Sequence, residues 1–316
     1  MKTLLIHTGG TIGMVATDDG FAPADGVVEG FLKSHLATQA NASQIDIRRL
    51  APLIDSANAT PQDWDRIAAT IAETDADYDA FIVTHGTDTL AYTAAALCFA
   101  LEGLSKPVIV TGSMLPLSVP DNDGTRNLAD AIAATATAAP GVWVQFAGRL
   151  LHGARVRKSH SRAFDAFAAD PSDIAPRQPG TALTLHRTGA HKVAFLSVAP
   201  GVPTDLFEYA AQTCDGLVLR CFGSGTVPGT KGLARALTTA ANRAIPVVAV
   251  SQCPEGGMAL GTYAAAAILR HHGVIDGGDM TVEAAYAKLT YALAHSPDPA
   301  TRRARLETSL CGEFTP

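Results

Sequence analysis

The sequence predicts an α/β fold: a larger N-terminal domain on a mostly parallel sheet, then a smaller C-terminal α/β domain. Three observations carry this. Short apolar runs recur along the 316 residues, among them Thr3-Leu4-Leu5-Ile6, Ala80-Phe81-Ile82-Val83-Thr84 and Pro246-Val247-Val248-Ala249-Val250. Strands buried on both faces read this way. Helical stretches and loops, not tight hairpin turns, join these runs, which makes neighbouring strands parallel. Composition agrees: 47% hydrophobic and 17% charged residues suffice for a buried core and argue against disorder.

Taken in order, the first strand ends in Thr8-Gly9-Gly10-Thr11-Ile12-Gly13-Met14. A glycine pair lets the backbone turn sharply and lets a ligand approach. Alone, this reads as a turn with two capping hydroxyls. Residues 16–26 form a polar loop rich in turn formers, the composition of a lid. Residues 45–50 alternate apolar and charged, as a half-exposed strand does. Thr60-Pro61-Gln62-Asp63 opens a helix with a threonine cap, proline at the first position and an acidic first turn. The strand over 80–84 leads through His85-Gly86-Thr87-Asp88-Thr89 into a helix reaching Leu101. A strand over 107–112, an alanine-rich helix after Asp121-Asn122-Asp123-Gly124 and a strand over 142–146 follow. Prolines and glycine across 171–192 mark a linker, dividing a 1–170 domain from a 193–316 domain. There, strands are expected near 193–199, 216–219 and 246–250, and helices over 203–212, 231–243, 261–272, 281–295 and 299–309.

The totals also exclude functions. A net charge of −6 argues against a nucleic-acid surface and for a small-molecule partner. No apolar run is long enough to span a membrane, and the opening run is too short for a signal-peptide core, so the expected location is cytoplasmic. Five cysteines lack metal-like spacing and read as buried free thiols. His271-His272 reads as a solvated helix end, not a metal site.

In an open parallel sheet, ligands bind beyond the carboxyl ends of the strands. The stretches 8–14 and 85–89 both leave strands there. A helix N-terminus after residue 89 favours an anionic group, and Asp88 suits a cationic amine. Together they describe a site for a zwitterion such as an amino acid. Between 149 and 162 lie Arg149, Arg155, Arg157, Lys158, His160 and Arg162, which read mostly as a solvated basic face. Lysine, unlike arginine, can take a proton from a hydroxyl, so a Thr-Lys-Asp relay is chemically sound. Residue type alone does not select Lys158 from its neighbours.

At this point the motifs converge. TGGTIGM at 8–14, IDSANATP at 54–61, HGTDTLAYTA at 85–94, KPVIVTGSMLP at 106–116, the lysine in GARVRKSHS at 153–161 and MTVEAAYAKL at 280–289 resemble the bacterial type I L-asparaginases. The matches run in order over nearly the whole chain, and TGGTI with HGTDT is highly specific. The resemblance implies hydrolysis of L-asparagine, with L-glutamine as second substrate, without metal or organic cofactor, by a homodimer or homotetramer. Residue by residue, it implies that Thr11 is the nucleophile that becomes acylated. Thr87 is then the second active-site threonine, Asp88 the acid holding the substrate amine and Lys158 the relay lysine. Asp55, Ser56 and Ala57 match the segment gripping the α-carboxylate.

The chain departs from that pattern at four places. Phe21 aligns with the lid tyrosine, so its hydroxyl is missing. Ala57 and Asn58 replace polar and acidic residues. Thr226 stands where many relatives have asparagine. Arg157 replaces a small residue of the allosteric members. Phe21 motivates a second expectation, an amino-acid-binding homologue without catalysis. The tRNA-dependent amidotransferase subunit ranks lower, because it carries an extra N-terminal domain and TGGTI begins here at residue 8. A nucleotide-binding protein ranks lowest, because no G-x-G-x-x-G follows the first strand.

Overall fold

The computed structural model describes residues 1–37 and 44–316. It divides into two compact units, Met1–Leu185 and His186–Pro316.

The first unit runs β1 (Lys2–Gly9), β2 (Met14–Thr17), β3 (Gly20–Pro23), α1 (Val27–Ala37), β4 (Gln44–Ile54), α2 (Pro61–Thr74), β5 (Ala80–Thr84), α3 (Leu90–Ala100) and β6 (Leu101–Glu102). It continues with β7 (Pro107–Thr111), α4 (Gly124–Ala134), β8 (Gly141–Phe146), β9 (Arg149–His152), β10 (Val156–Lys158), β11 (Phe167–Ala169) and β12 (Thr184–Leu185). Its main sheet has the order β4-β1-β5-β7-β8-β9, parallel except for the antiparallel edge strand β9. The unbroken apolar runs follow from burial on both faces. Leu5, Ile82 and Ile109 pack on one side with Val28 and Leu32 of α1 and Leu128 and Ile132 of α4. Leu4, Ile6, Phe81, Val83, Val108 and Val110, all buried, point to the other side, where α2 and α3 pack. Each fully buried side chain of this size contributes ~1.5–3 kcal/mol. The α2 start is as expected: the Asp63 carboxylate accepts from the Thr60 amide and hydroxyl, both at 2.9 Å.

The second unit contains β13 (Val193–Ser197), α5 (Asp205–Thr213), β14 (Gly216–Cys221), α6 (Lys231–Asn242), β15 (Val247–Ser251), α7 (Ala267–His271), β16 (Ile275–Asp276), α8 (Val282–His295) and α9 (Pro299–Glu307). Its four strands are all parallel, in the order β13-β14-β15-β16. Leu217, Leu219, Val247 and Ala249 face α5 and α6, while Val218, Val248, Val250 and Ile275 face α8 and α9.

Four expectations change. Residues 16–26 are not a loop: β2 and β3 form a hairpin closed by Asp18-Asp19, with Thr17 Oγ1 donating to the Gly20 carbonyl at 2.6 Å. Gly20, at φ 114°, supplies the turn conformation. The expected helix over 261–272 shortens to a 3-10 turn, Ala264–Ala266, and α7. Gly256, Gly257 and Gly261 upstream disfavour a longer helix. Cys98, Cys221 and Cys311 are buried as expected, but Cys253 is exposed; burial pushes the Cys221 thiol up to about 12. The basic stretch is not simply solvated: Arg155 is buried, and Arg157 is half-buried and paired with Asp170 at 3.3 Å. No helix among the described residues is long and apolar enough to cross a membrane.

Candidate active site

Three turns leave the carboxyl ends of adjacent strands: 10–13 after β1, 55–58 after β4 and 85–89 after β5. Sheet register brings them level, since Gly9 pairs with Ile54 and His7 with Thr84. They then interlock through glycines. Gly10, at φ 88°, leaves no room for a side chain, because a β-carbon there would collide with the Gly86 amide. A β-carbon on Gly86 would in turn collide with the Ser56 hydroxyl. TGGTI and HGTDT therefore meet backbone to backbone, HGTDT rests on the Ser56 side chain of DSAN, and larger residues at the glycines would push them apart.

Thr11 opens the 3-10 turn Thr11–Gly13 and is half-buried, while Ile12 and Gly13 are buried beneath it. Thr87 is buried and Asp88 is exposed. Lys158, at the end of β10, donates to Thr87 Oγ1 at 3.0 Å and to Asp88 Oδ1 at 2.9 Å. Arg149 pairs instead with Asp165, and Arg157 with Asp170 at 3.3 Å. The structure thus selects the lysine that residue type alone does not. Thr89, the N-cap of α3, spends its hydroxyl on the Ser56 carbonyl at 2.8 Å and makes no side-chain cap. The N-terminal, positive end of the α3 dipole therefore lies next to Thr87 and Asp88 in the chain.

The Asp55–Ala57 segment behaves unevenly. Ser56 is buried against Gly86. Asp55 turns inward on its own loop, its carboxylate accepting from the Ala57 amide at 3.1 Å and Asn58 Nδ2 at 2.6 Å. It shapes the turn through these bonds. Phe21 sits on β3 opposite Ala16, about half exposed, and carries no hydroxyl.

Supporting residues were invisible in the sequence. The buried His7 ring lies under Gly13, its Nδ1 bonded to Thr84 Oγ1 at 2.7 Å. His85 donates from Nδ1 to the Gly86 carbonyl at 2.8 Å and meets Thr93 Oγ1 through Nε2 at 3.0 Å. Burial holds both histidines below their usual value, hence neutral. Asp123 accepts from the Met114 and Leu115 amides at 2.9–3.0 Å. This folds the 113–118 segment, whose Ser118 hydroxyl then holds the Met14 carbonyl at 2.9 Å. The only signal for Asp123 was the turn composition of 121–124, which does not say what the carboxylate grips. No group of His, Cys, Asp and Glu among the described residues could hold a metal ion.

Fold and site define an α/β protein with a hydroxyl–lysine–carboxylate cluster at the carboxyl edge of its larger sheet. The chain belongs to the asparaginase family. Residues 2–187 match the family model "Asparaginase, N-terminal" and residues 192–306 match "Glutaminase/Asparaginase C-terminal domain". It is 38% identical to L-asparaginase 1 of Escherichia coli (strain K12), over 98% of this chain and 97% of that protein. The crystal structure of L-asparaginase I from Vibrio cholerae superposes with a TM-score of 0.88 at 33% identity, over 99% of both chains. The thermostable L-asparaginase from Thermococcus kodakarensis gives 0.87 at 32%, over 100% of both.

Proposed function

We propose that the protein hydrolyses L-asparagine to L-aspartate and ammonia through an acyl-enzyme on Thr11. The observation that carries this reading is the contact of Lys158 Nζ with both Thr87 Oγ1 and Asp88 Oδ1, at 3.0 and 2.9 Å. The L-asparaginases named above, similar over the full length, support the substrate.

An amide is a poor electrophile, and attack on it puts negative charge on oxygen. Backbone N–H groups of the glycine turn stabilise that charge, a contribution of ~3 kcal/mol for one such donor. Thr11 Oγ1 bonds to the side-chain carbonyl carbon, and its proton leaves through the Thr87–Lys158 pair. The C–N bond breaks, the nitrogen takes a proton and ammonia departs. Water then attacks the ester, an easier electrophile, and gives its proton along the same pair as aspartate is released. The relay needs Lys158 as a neutral amine, which accepts the Thr11 proton passed through Thr87 Oγ1 and returns it to the departing nitrogen. Because Phe21 has no hydroxyl, this relay serves both half-reactions. Asp88 holds the substrate amine. The 55–57 turn of Asp55, Ser56 and Ala57, its shape set by Asp55, holds the α-carboxylate. The active form is a homodimer or homotetramer in this reading, checked by light scattering.

Ammonia release from L-asparagine by purified protein, with L-glutamine as competitor substrate, tests the proposal. Release from L-asparagine supports it. Absence of release at millimolar substrate, with calorimetric binding retained, overturns it in favour of a non-catalytic amino-acid-binding homologue, the reading that Phe21 favours.

A further inference from the structure

The sequence places His160 two residues beyond Lys158, inside the 159–166 segment that joins β10 to β11. Its side chain does something a solvated histidine does not. Nδ1 accepts from two backbone amides, Arg162 N at 3.0 Å and Ala163 N at 2.8 Å. This is the geometry in which an asparagine or serine side chain closes a turn, reaching forward two and three residues. The base of the same segment is gathered on one acceptor: the Ser159 amide, the His160 amide and the Ser159 hydroxyl all point at the Ala166 carbonyl, at 2.8, 3.2 and 3.3 Å. Beyond it, Lys158 pairs with Phe167 across the two short strands, and the Phe167 ring packs on Phe146 of β8 at 4.8 Å between ring centres.

These contacts set where Lys158 stands. β10 has three residues, so its last residue depends on the turn that follows. A three-residue ladder has few bonds of its own. We propose that His160 is a positioning residue for Lys158, and that it acts only as the neutral tautomer with its proton on Nε2. Both accepted bonds need the Nδ1 lone pair, which the imidazolium does not have. Protonation turns one acceptor serving two amides into a donor facing two donors. The turn then loses its closure and Lys158 loses its support toward Thr87 and Asp88. The charged groups around the turn are Lys158 at its start and Arg162 within it. Asp165 at its end is paired with Arg149 of β9, and Asp88 reaches the turn through Lys158. Protonation of this ring therefore couples proton activity to the relay. The consequence for turnover rests on the role proposed above for Lys158; the tautomer does not.

Two measurements separate these. Side-chain nitrogen-15 NMR of the full-length protein above neutral pH reads the tautomer directly, without substrate. A proton on Nε2 and a bare Nδ1 is expected; a proton on Nδ1 overturns the proposal. The pH profile of kcat for asparagine hydrolysis is then compared in wild type, His160→Asn and His160→Ala. Asparagine supplies the same forward acceptor and does not titrate. His160→Asn is expected to keep alkaline kcat within about threefold and to flatten the acid limb, while His160→Ala loses about tenfold or more in kcat at alkaline pH, with a smaller change in KM, and converges on the wild type in acid. An acid limb unchanged in His160→Asn, or wild-type alkaline kcat in His160→Ala, overturns the proposal. If Lys158→Met retains turnover while the tautomer is as expected, it is the reading of Lys158 that fails.

Discussion

Lys158 holds Asp88 at 2.9 Å in the first unit, and Lys288 holds Glu313 at 2.7 Å in the second. The contacts are nearly equal and the surroundings are opposite. The Lys158 and Asp88 side chains are 22% and 63% exposed, the Lys288 and Glu313 side chains 1% and 0%. Lys288 also donates to the Leu306 and Thr308 carbonyls, at 2.9 and 2.7 Å. Glu313 accepts from the Leu310 and Cys311 amides, at 2.9 and 2.8 Å. Burial pushes Glu313 up, but the Lys288 ammonium and these amides outweigh it and hold the carboxyl below its usual range. Every site on that pair is taken, so it is locked and ties the C-terminal tail to α8. Lys158 instead spends a bond on a hydroxyl and faces solvent through Asp88. The lesson is that distance does not assign a role to an ion pair. Its other partners and its access to water do.

If the comparison is right, the two lysines fail differently when cut to methionine. Lys158→Met is expected to lower turnover of L-asparagine by about 10³-fold or more, as loss of a relay member does, with unfolding free energy changed by ~1 kcal/mol or less for so exposed a pair. Steady-state ammonia release and urea unfolding measure the two. Thr11→Ala belongs with it, with equal loss of turnover and an unchanged midpoint. Lys288→Met strands a buried carboxylate and is expected to cost about 3–5 kcal/mol in the same unfolding experiment. A loss comparable to that of Lys158→Met would erase the distinction.

Acid sharpens it further. The unfolded chain protonates His7 and His85 below the ordinary histidine value of 6.5, while the folded chain, with both values lowered by burial, does not. The unfolded state then binds more protons, so stability of the first unit falls as pH drops below about 6.5. The Glu313 contribution is fully present above the ordinary glutamate value of 4.5 and is lost only below it, as pH falls through its depressed folded value. Both tryptophans, Trp64 and Trp143, lie in the first unit. Thermal unfolding followed by their fluorescence is expected to show a lower midpoint at about pH 5.5 than at about pH 7.5. An unchanged midpoint would mean these histidines titrate equally in both states. The smallest expected effect is that of Phe21→Tyr, which returns a hydroxyl to the hairpin and is expected to raise turnover severalfold; a drop would mean the hairpin serves the site by another route.

What the sequence revealed and hid follows from the same physics. The parallel strands were legible because burial on both faces writes an unbroken apolar run, as in Ala80–Thr84. The 85–89 turn was legible from its chemistry. The β2–β3 hairpin was not, because its side chains are largely exposed and carry no alternation. β9 was missed because Arg149 and Leu150 face solvent on an edge strand, and α1 because a polar stretch precedes it. Lys158 could be selected by its kinship to a family but not by residue type, since the two groups it meets lie 71 and 70 residues away. Asp123 and His160 were hidden for a different reason. Each spends its side chain on backbone amides, and a backbone leaves no mark in the sequence.

If the turn interlocked by Gly10, Gly86 and Ser56 presents Thr11 as a nucleophile served by Lys158, turnover passes through an ester on Thr11. The most direct test is to quench the protein with acid during turnover of L-asparagine and map its peptides by mass spectrometry. An aspartyl group esterified to Thr11 is expected, accumulating in wild type and absent from Lys158→Met. Turnover with no acylated Thr11 peptide, or an aspartyl ester on Thr87, would contradict it.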